Sequence, residues 1–219
     1  MTDKGYIDFH THHPSLRGEH VIQDGINTRG RHPWRLLPGS SQEGESYFIS
    51  LKKECEKGLL AIGESGLDRL CTTPYDLQIS VFSEEVKFSE TFGLPLFLHC
   101  VRAIDDVLRI RRELHAKQPI IWHGYRGNAE QLRQLKESPV NFSNEADRGL
   151  FYFSFGHKYN ADAVRICPLN RLLLETDEDV TNPIAGLYLK IAELRELSLD
   201  SLVRQMHDNF HTLFPNARL

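Results

Sequence analysis

Short apolar runs alternate with amphipathic stretches along the whole chain, and this alternation limits the fold more than any other feature. The runs occupy 6–10, 21–27, 59–63, 95–98, 120–122, 140–142 and 171–174. Between them, residues 46–57 place Phe48, Leu51 and Cys55 on one stripe and stop at Gly58. Thr73-Pro74 opens a second helix through Leu77, Val81, Phe82 and Val86, and Ile104, Val107, Leu108, Arg111 and Leu114 mark a third. Asn128 caps a fourth through Ala129, Leu132 and Leu135, while Asn182-Pro183 and Ser198 start the last two. Such alternation predicts an α/β fold with a parallel sheet. No repeat, low-complexity tract or Pro/Gly/Ser-rich linker divides the 219 residues, so one domain over 1–219 is expected. A closed barrel and an open doubly wound sheet both satisfy the pattern. GESGLD at 63–68 has the wrong spacing for a dinucleotide fingerprint or a Walker loop.

Composition removes several function classes. No apolar run approaches the roughly 20 residues that a bilayer span requires. Acidic residues outnumber basic ones, 30 to 26, which argues against a protein that coats nucleic acid by charge alone. Cys55, Cys71, Cys100 and Cys167 are scattered without a CxxC pair, and MTDKGYIDFH has no secretory pattern. Free thiols and a cytoplasmic location are expected. Cys100 follows His99 directly, so on a strand it points into packing if His99 points into a site.

Five of the apolar runs end in metal-ligand side chains: His10 and His12, Glu64, His99, His123, and Asp177. Histidines at i and i+2 of a strand lie on one face about 7 Å apart, so both can reach one ion. Taken singly, a strand-end histidine is a hydrogen-bonded core or rim residue, and a glutamate after glycine is a turn residue. Taken together, the groups fall at the same ends of parallel strands. A barrel gathers such ends around one axis, at the face that carries barrel active sites. Six imidazole and carboxylate groups exceed the three or four ligands of one catalytic zinc and suit two divalent ions. Hydrolysis by metal-activated water is the natural reaction class. The donor set suits zinc, manganese and nickel, and magnesium less well.

DFHTHH at 8–13, GRHPW at 30–34, AIGESGLD at 61–68, LFLHC at 96–100, WHGYRG at 122–127, LLLETD at 172–177 and NFHTLFP at 209–215 occur in order from end to end. In these stretches the chain resembles the TatD-like metal-dependent hydrolases, within the amidohydrolase-type barrels. The resemblance implies a TIM-like parallel β/α barrel and a divalent-metal-dependent phosphodiesterase, typically a deoxyribonuclease of exonuclease type. It implies His10, His12 and Asp177 on one metal and His99 and His123 on the other. Glu64 would bridge, and Asp177 would also orient or deprotonate the attacking water.

The chain departs from that pattern at four places. Val101 stands where the family has an arginine, with Arg102 one position later; Arg126 replaces a small hydroxyl residue. Glu178-Asp179 replaces Ala-Pro after ETD, and only 17 residues separate His12 from Gly30. Arg126 can clamp a phosphate or stand solvated in a loop, and Arg102 is a second candidate substrate contact. Two extra carboxylates at the rim disfavour a long polyanion, so a short nucleotide or a small ester, lactone or amide stays open beside DNA. A metal-binding protein without catalysis is disfavoured by the complete ligand set. His32 can line the pocket or brace Pro33 and Trp34, and the aromatic patch at 151–155 can stack bases or fill the core. A regular eight-stranded barrel takes about 250 residues. The deficit falls in 13–29, which predicts seven main strands or a barrel open or irregular beside the first strand.

Overall fold

The computed structural model describes residues 5–14, 19–37, 41–137 and 151–218. In chain order its elements are β1 (Ile7–Thr11), β2 (His20–Gln23), β3 (Thr28–Arg29), α1 (Ser41–Glu56), β4 (Ala61–Asp68), α2 (Tyr75–Phe92), β5 (Leu96–Val101) and α3 (Ile104–Glu113). There follow β6 (Ile120–Trp122), α4 (Ala129–Glu137), β7 (Phe151–Phe155), α5 (Ala161–Ile166), β8 (Leu172–Leu174), α6 (Ile184–Leu194) and α7 (Leu199–Leu213). They form two compact units, Met1–Gln23 with Trp122–Leu219, and Asp24–Ile121. The pairs β1–β2, β3–β4, β4–β5 and β7–β8 are all parallel, as the alternation predicts. Among the described residues no helix is long and apolar enough to cross a membrane.

In the unit Asp24–Ile121, β4 pairs with β3 on one side and β5 on the other. All eight residues of β4 are buried, the condition of a parallel strand covered on both faces. Glycine allows the strands to close: a Cβ on Gly66 would lie 1.9 Å from the His99 carbonyl oxygen. Helix α2 starts directly after Pro74, as expected, and ends at Gly93 in a left-handed cap. Its buried face carries Val81, Phe82 and Val86, and also Glu85.

In the unit Met1–Gln23 with Trp122–Leu219, β1 pairs with β2, and β7 pairs with β8. A parallel bridge between Thr11 and Asp177 joins the end of β1 to the segment that follows β8. Tyr188 of α6 uses one hydroxyl twice, accepting from the Ile7 amide and donating to the Ile7 carbonyl. Asn209 of α7 donates to the carbonyls of Leu169 and Leu172, both at 2.8 Å. Ser198 caps α7 by accepting from the Ser201 amide. Apolar residues of β8, α6 and α7, among them Leu173, Ile191 and Met206, are fully buried.

Several elements differ from expectation. The run 21–27 yields only β2, after which residues 24–27 turn directly into β3 with no helix between. This is the irregularity expected beside the first strand. Phe151–Phe155 is a strand, β7, with all five residues buried, which settles its aromatic patch as core. The run 140–142 lies outside the described residues. Helix α1 begins at Ser41, upstream of the expected 46, and α5 was not anticipated.

Glu85 is fully buried and accepts hydrogen bonds from the Ser65 hydroxyl, the Tyr47 hydroxyl and, at 2.7 Å, the Arg31 amide. Burial nevertheless outweighs these donors and pushes its carboxyl up to about 7. A raised pKa means that stability is fully present below the ordinary carboxyl range and is lost as pH rises through about 7. Glu85→Gln should therefore gain melting temperature relative to wild type between pH 5 and pH 8. The differential is at most about 3 kcal/mol, read from paired thermal melts. Gly66→Ala should destabilise by about 3 kcal/mol or more in denaturant titrations, because the added methyl meets backbone that cannot retreat.

Candidate metal centre

Among the described residues, each unit carries a group of ligand-type side chains. In the first, His10 and His12 close β1 with ring centroids 5.2 Å apart. The Asp177 carboxylate lies 3.4 Å from His12 Nε2 and 3.7 Å from His10 Nε2. Backbone pairing puts it there: the Asp177 amide donates to the His10 carbonyl at 2.9 Å, and the His12 amide donates to the Asp177 carbonyl at 3.1 Å. Asp177 holds a left-handed backbone, φ 58°, that aspartate tolerates better than most residues. His123 follows β6, and its ring centroid is 4.5 Å from that of His10. Glu175, fully buried, accepts from the Gly124 amide and lies 3.8 Å from His123 Nδ1.

The second group belongs to β4, β5 and the loop after β3. His99 Nδ1 is 3.2 Å from Glu64 Oε1, and His32 Nε2 is 3.0 Å from the same oxygen. His32 Nδ1 accepts the Trp34 amide, so a neutral ring carries its proton on Nε2 and donates to Glu64. His32 thus braces the carboxylate. On the other side of His99, Nε2 faces Asp68 Oδ2 at 3.4 Å. Asp68 in turn accepts from the Trp34 indole at 2.7 Å and the Leu70 amide at 2.7 Å. Burial pulls the Asp68 pKa upward, but these donors hold it below its ordinary value. An ionised Asp68 fixes the imidazole as carboxylates do behind metal-bound histidines.

Within the first unit His10, His12 and Asp177 form one candidate set, and His123, Glu175 and Asp177 another; within the second, His32, Glu64 and His99 form a third. In each, the ligand atoms lie within 4.8 Å of one another. Imidazole nitrogen mixed with carboxylate oxygen fits a borderline divalent ion, which is the fit the donor chemistry requires. Cys100 belongs to none of these sets, and burial pushes its thiol up to about 12. Arg102 and Arg126 are exposed, and Arg102 has a left-handed backbone at φ 52°.

Several supporting residues escaped the sequence reading. Asp8 is buried and accepts from the Thr176 amide at 3.0 Å and the Thr176 hydroxyl at 2.6 Å. Burial raises its carboxyl to about 7 against the pull of those bonds. Asp68 and Glu175 likewise stand behind histidines. A signal existed: Asp8 precedes His10 by two residues, Glu175 precedes Asp177 by two, and Asp68 follows Glu64 by four. The same-face spacing that pairs His10 with His12 applies to these acids too.

Residues 8–215 match the family described as TatD related DNase. The chain is 32% identical over 162 residues to the deoxyribonuclease Tat-D of Schizosaccharomyces pombe, covering 69% of this chain and 50% of that protein. It is 29% identical over 201 residues to an uncharacterized metal-dependent hydrolase of Buchnera aphidicola, covering 82% of this chain and 72% of the relative. The chain thus spans half the length of the first of these relatives. Its fold superposes on the crystal structure of the TatD homologue YjjV of Escherichia coli with a TM-score of 0.69 at 22% identity, covering 90% of this chain and 78% of that one. The TatD-type α/β fold expected from the motifs is therefore the fold observed, and the chain belongs to the TatD related DNase family.

Proposed function

We propose that the chain is a divalent-metal-dependent hydrolase that cleaves phosphodiester bonds in a nucleic acid or nucleotide. The observation that carries this reading is the placement of His10, His12 and Asp177 within ligand distance of one another, in a chain whose family is named for deoxyribonuclease activity. The continuous match over 8–215 supports treating 1–219 as one hydrolase domain. The reading uses two ions. By motif correspondence, His10, His12, Glu64, His99, His123 and Asp177 are the residues that would hold them.

Bound divalent ions supply Lewis acidity, lowering the pKa of a coordinated water and neutralising phosphoryl charge. The remaining work falls to the chain. Asp177 orients the attacking water and takes its proton. Asp68 and Glu175 keep His99 and His123 oriented. Arg102 and Arg126 are exposed cations suited to phosphate oxygens. Four free cysteines agree with a reducing, cytoplasmic setting.

One observation favours a smaller, uncharged ester as substrate: Asp179, directly after exposed Glu178, is partly exposed and ionised. Its carboxylate is held well below the ordinary range by hydrogen bonds from Asn182 and Thr181. Those same bonds show it capping the loop before α6, which assigns its charge a structural use.

Metal analysis of purified protein should find bound divalent ion, and His99→Ala and Asp177→Ala should each lower the metal content. Asp177→Ala should also reduce turnover of single-stranded DNA oligomers by about a hundredfold or more with Mn²⁺ present. Wild-type protein that takes up no divalent ion rejects the centre. Turnover of lactones or carboxylic esters alone rejects the nuclease reading and retains the metal chemistry.

A further inference from the structure

We propose that Trp34 is a stacking platform for a nucleobase of the substrate, beside the Glu64–His99 ligand group. The proposal deepens the nucleic-acid reading above and rests on it. Large aromatic side chains are ordinarily mostly covered, yet Trp34 is 63% exposed. Its exposure does not come from a loose side chain. Pro33 fixes the turn, the Trp34 amide is bonded to His32, and the indole N–H is bonded to Asp68. The Thr73 hydroxyl ties the same turn down by donating to the Pro33 carbonyl at 2.7 Å.

The ring is also placed against the candidate ligands. Its centroid is 4.9 Å from that of His32 at 81° and 5.7 Å from that of His99 at 75°. An aromatic plane bolted down on its polar edge and open on its apolar surface loses little freedom when a flat partner stacks on it. Two arginines lie next to it or to its partner Asp68 in sequence. Arg35, the next residue, is 69% exposed and reaches only a 4.0 Å pair with Asp24. Arg69, which follows Asp68, is half-exposed and held in place by Asp106 and the Tyr75 ring. A locked, open aromatic face on a turn that also carries an exposed arginine matches a nucleotide, with the base on the ring and a guanidinium available to phosphate oxygens. Stacking of this kind tolerates any base, because every base has a π-face.

The test compares wild type, Trp34→Ala and Trp34→Phe on single-stranded thymidine oligomers and on oligomers of equal length carrying abasic residues, with Mn²⁺ present. With bases present, Trp34→Ala should raise KM about tenfold or more and Trp34→Phe should recover most of that loss, while any fall in kcat from the lost indole bond to Asp68 should be shared by both variants. On abasic oligomers wild type and Trp34→Ala should have the same KM. Phenylalanine keeps a ring but has no N–H for Asp68, so it separates stacking from bracing. A KM of Trp34→Phe as high as that of Trp34→Ala overturns the platform and leaves only the hydrogen bond to Asp68. Equal KM values for wild type and Trp34→Ala on base-bearing oligomers also overturn it while the nuclease reading stands.

If wild type cleaves no oligomer, the nuclease reading fails, and tryptophan fluorescence decides the platform separately. Quenching of metal-free wild type by thymidine oligomer, absent in Trp34→Phe, sustains it. No quenching overturns it, as does emission that changes with protein concentration alone, since a second copy of the chain would then cover the ring.

Discussion

The hydrogen-bonded bridge between the end of β1 and Asp177 is the constraint on which the first ligand group depends. Two short histidines on one strand can face the same way by periodicity alone, but a carboxylate 165 residues after His12 cannot. The amide of Asp177 and the carbonyl of His10, with the amide of His12 and the carbonyl of Asp177, bring it there. The bonds between Thr176 and buried Asp8 secure the same approach one residue away. A backbone pairing sets the side-chain geometry, because the left-handed turn at Asp177 leaves its carboxylate near the imidazoles it has just paired beside. Rigid positioning of this sort costs local strain that only surrounding structure can maintain.

The second ligand group rests on close approach of strands. Gly66 lies against the carbonyl of His99 at a distance that excludes a Cβ, and a Cβ on Gly30 would lie 2.6 Å from the Glu64 carbonyl oxygen. The glycines of GRHPW and AIGESGLD are thus steric requirements at the strands that carry Glu64 and His99. Gln78 adds a further tie from α2: its Oε1 accepts the Asp68 amide at 2.8 Å while its Nε2 donates to the Asp68 carbonyl at 3.1 Å. Asp68 is therefore fixed by both its backbone and its carboxylate, so the ring of His99 meets an acceptor that cannot drift.

How much of this the sequence disclosed varies with the range of the interaction. His10 with His12 was legible because strand periodicity places i and i+2 together, and the order of the motifs fixed the family. The shortened segment at 13–29 was legible from its length, and β2 turning straight into β3 is its structural form. Strand β7 was not, since FYFSF is buried on both faces and shows none of the alternation that distinguishes a half-buried strand. The acids behind the histidines were also missed. Nothing local reports that Glu175 meets the Gly124 amide or that Asp68 meets an indole 34 residues before it. The role of His32 stayed open for the same reason: only the donor to its Nδ1 decides which nitrogen carries the proton.

The acidic composition looks different once its carboxylates are placed. Asp8, Glu64, Asp68, Glu85 and Glu175 are buried, whereas Arg111 is the one buried basic residue among those described. Buried acids contribute little to the field outside the protein when they are protonated, hydrogen-bonded or compensated by a bound cation. Burial favours the protonated form of Asp8 and Glu85, and Glu64 belongs to a ligand set whose ion would offset its charge. The surplus of acids over bases counted along the chain therefore overstates the negative charge that an approaching polyanion meets. Exposed arginines in each unit, with carboxylates stored inside, are compatible with a nucleic acid. The acid surplus, which by itself argued against holding nucleic acid by charge alone, loses most of its weight as an argument about substrate.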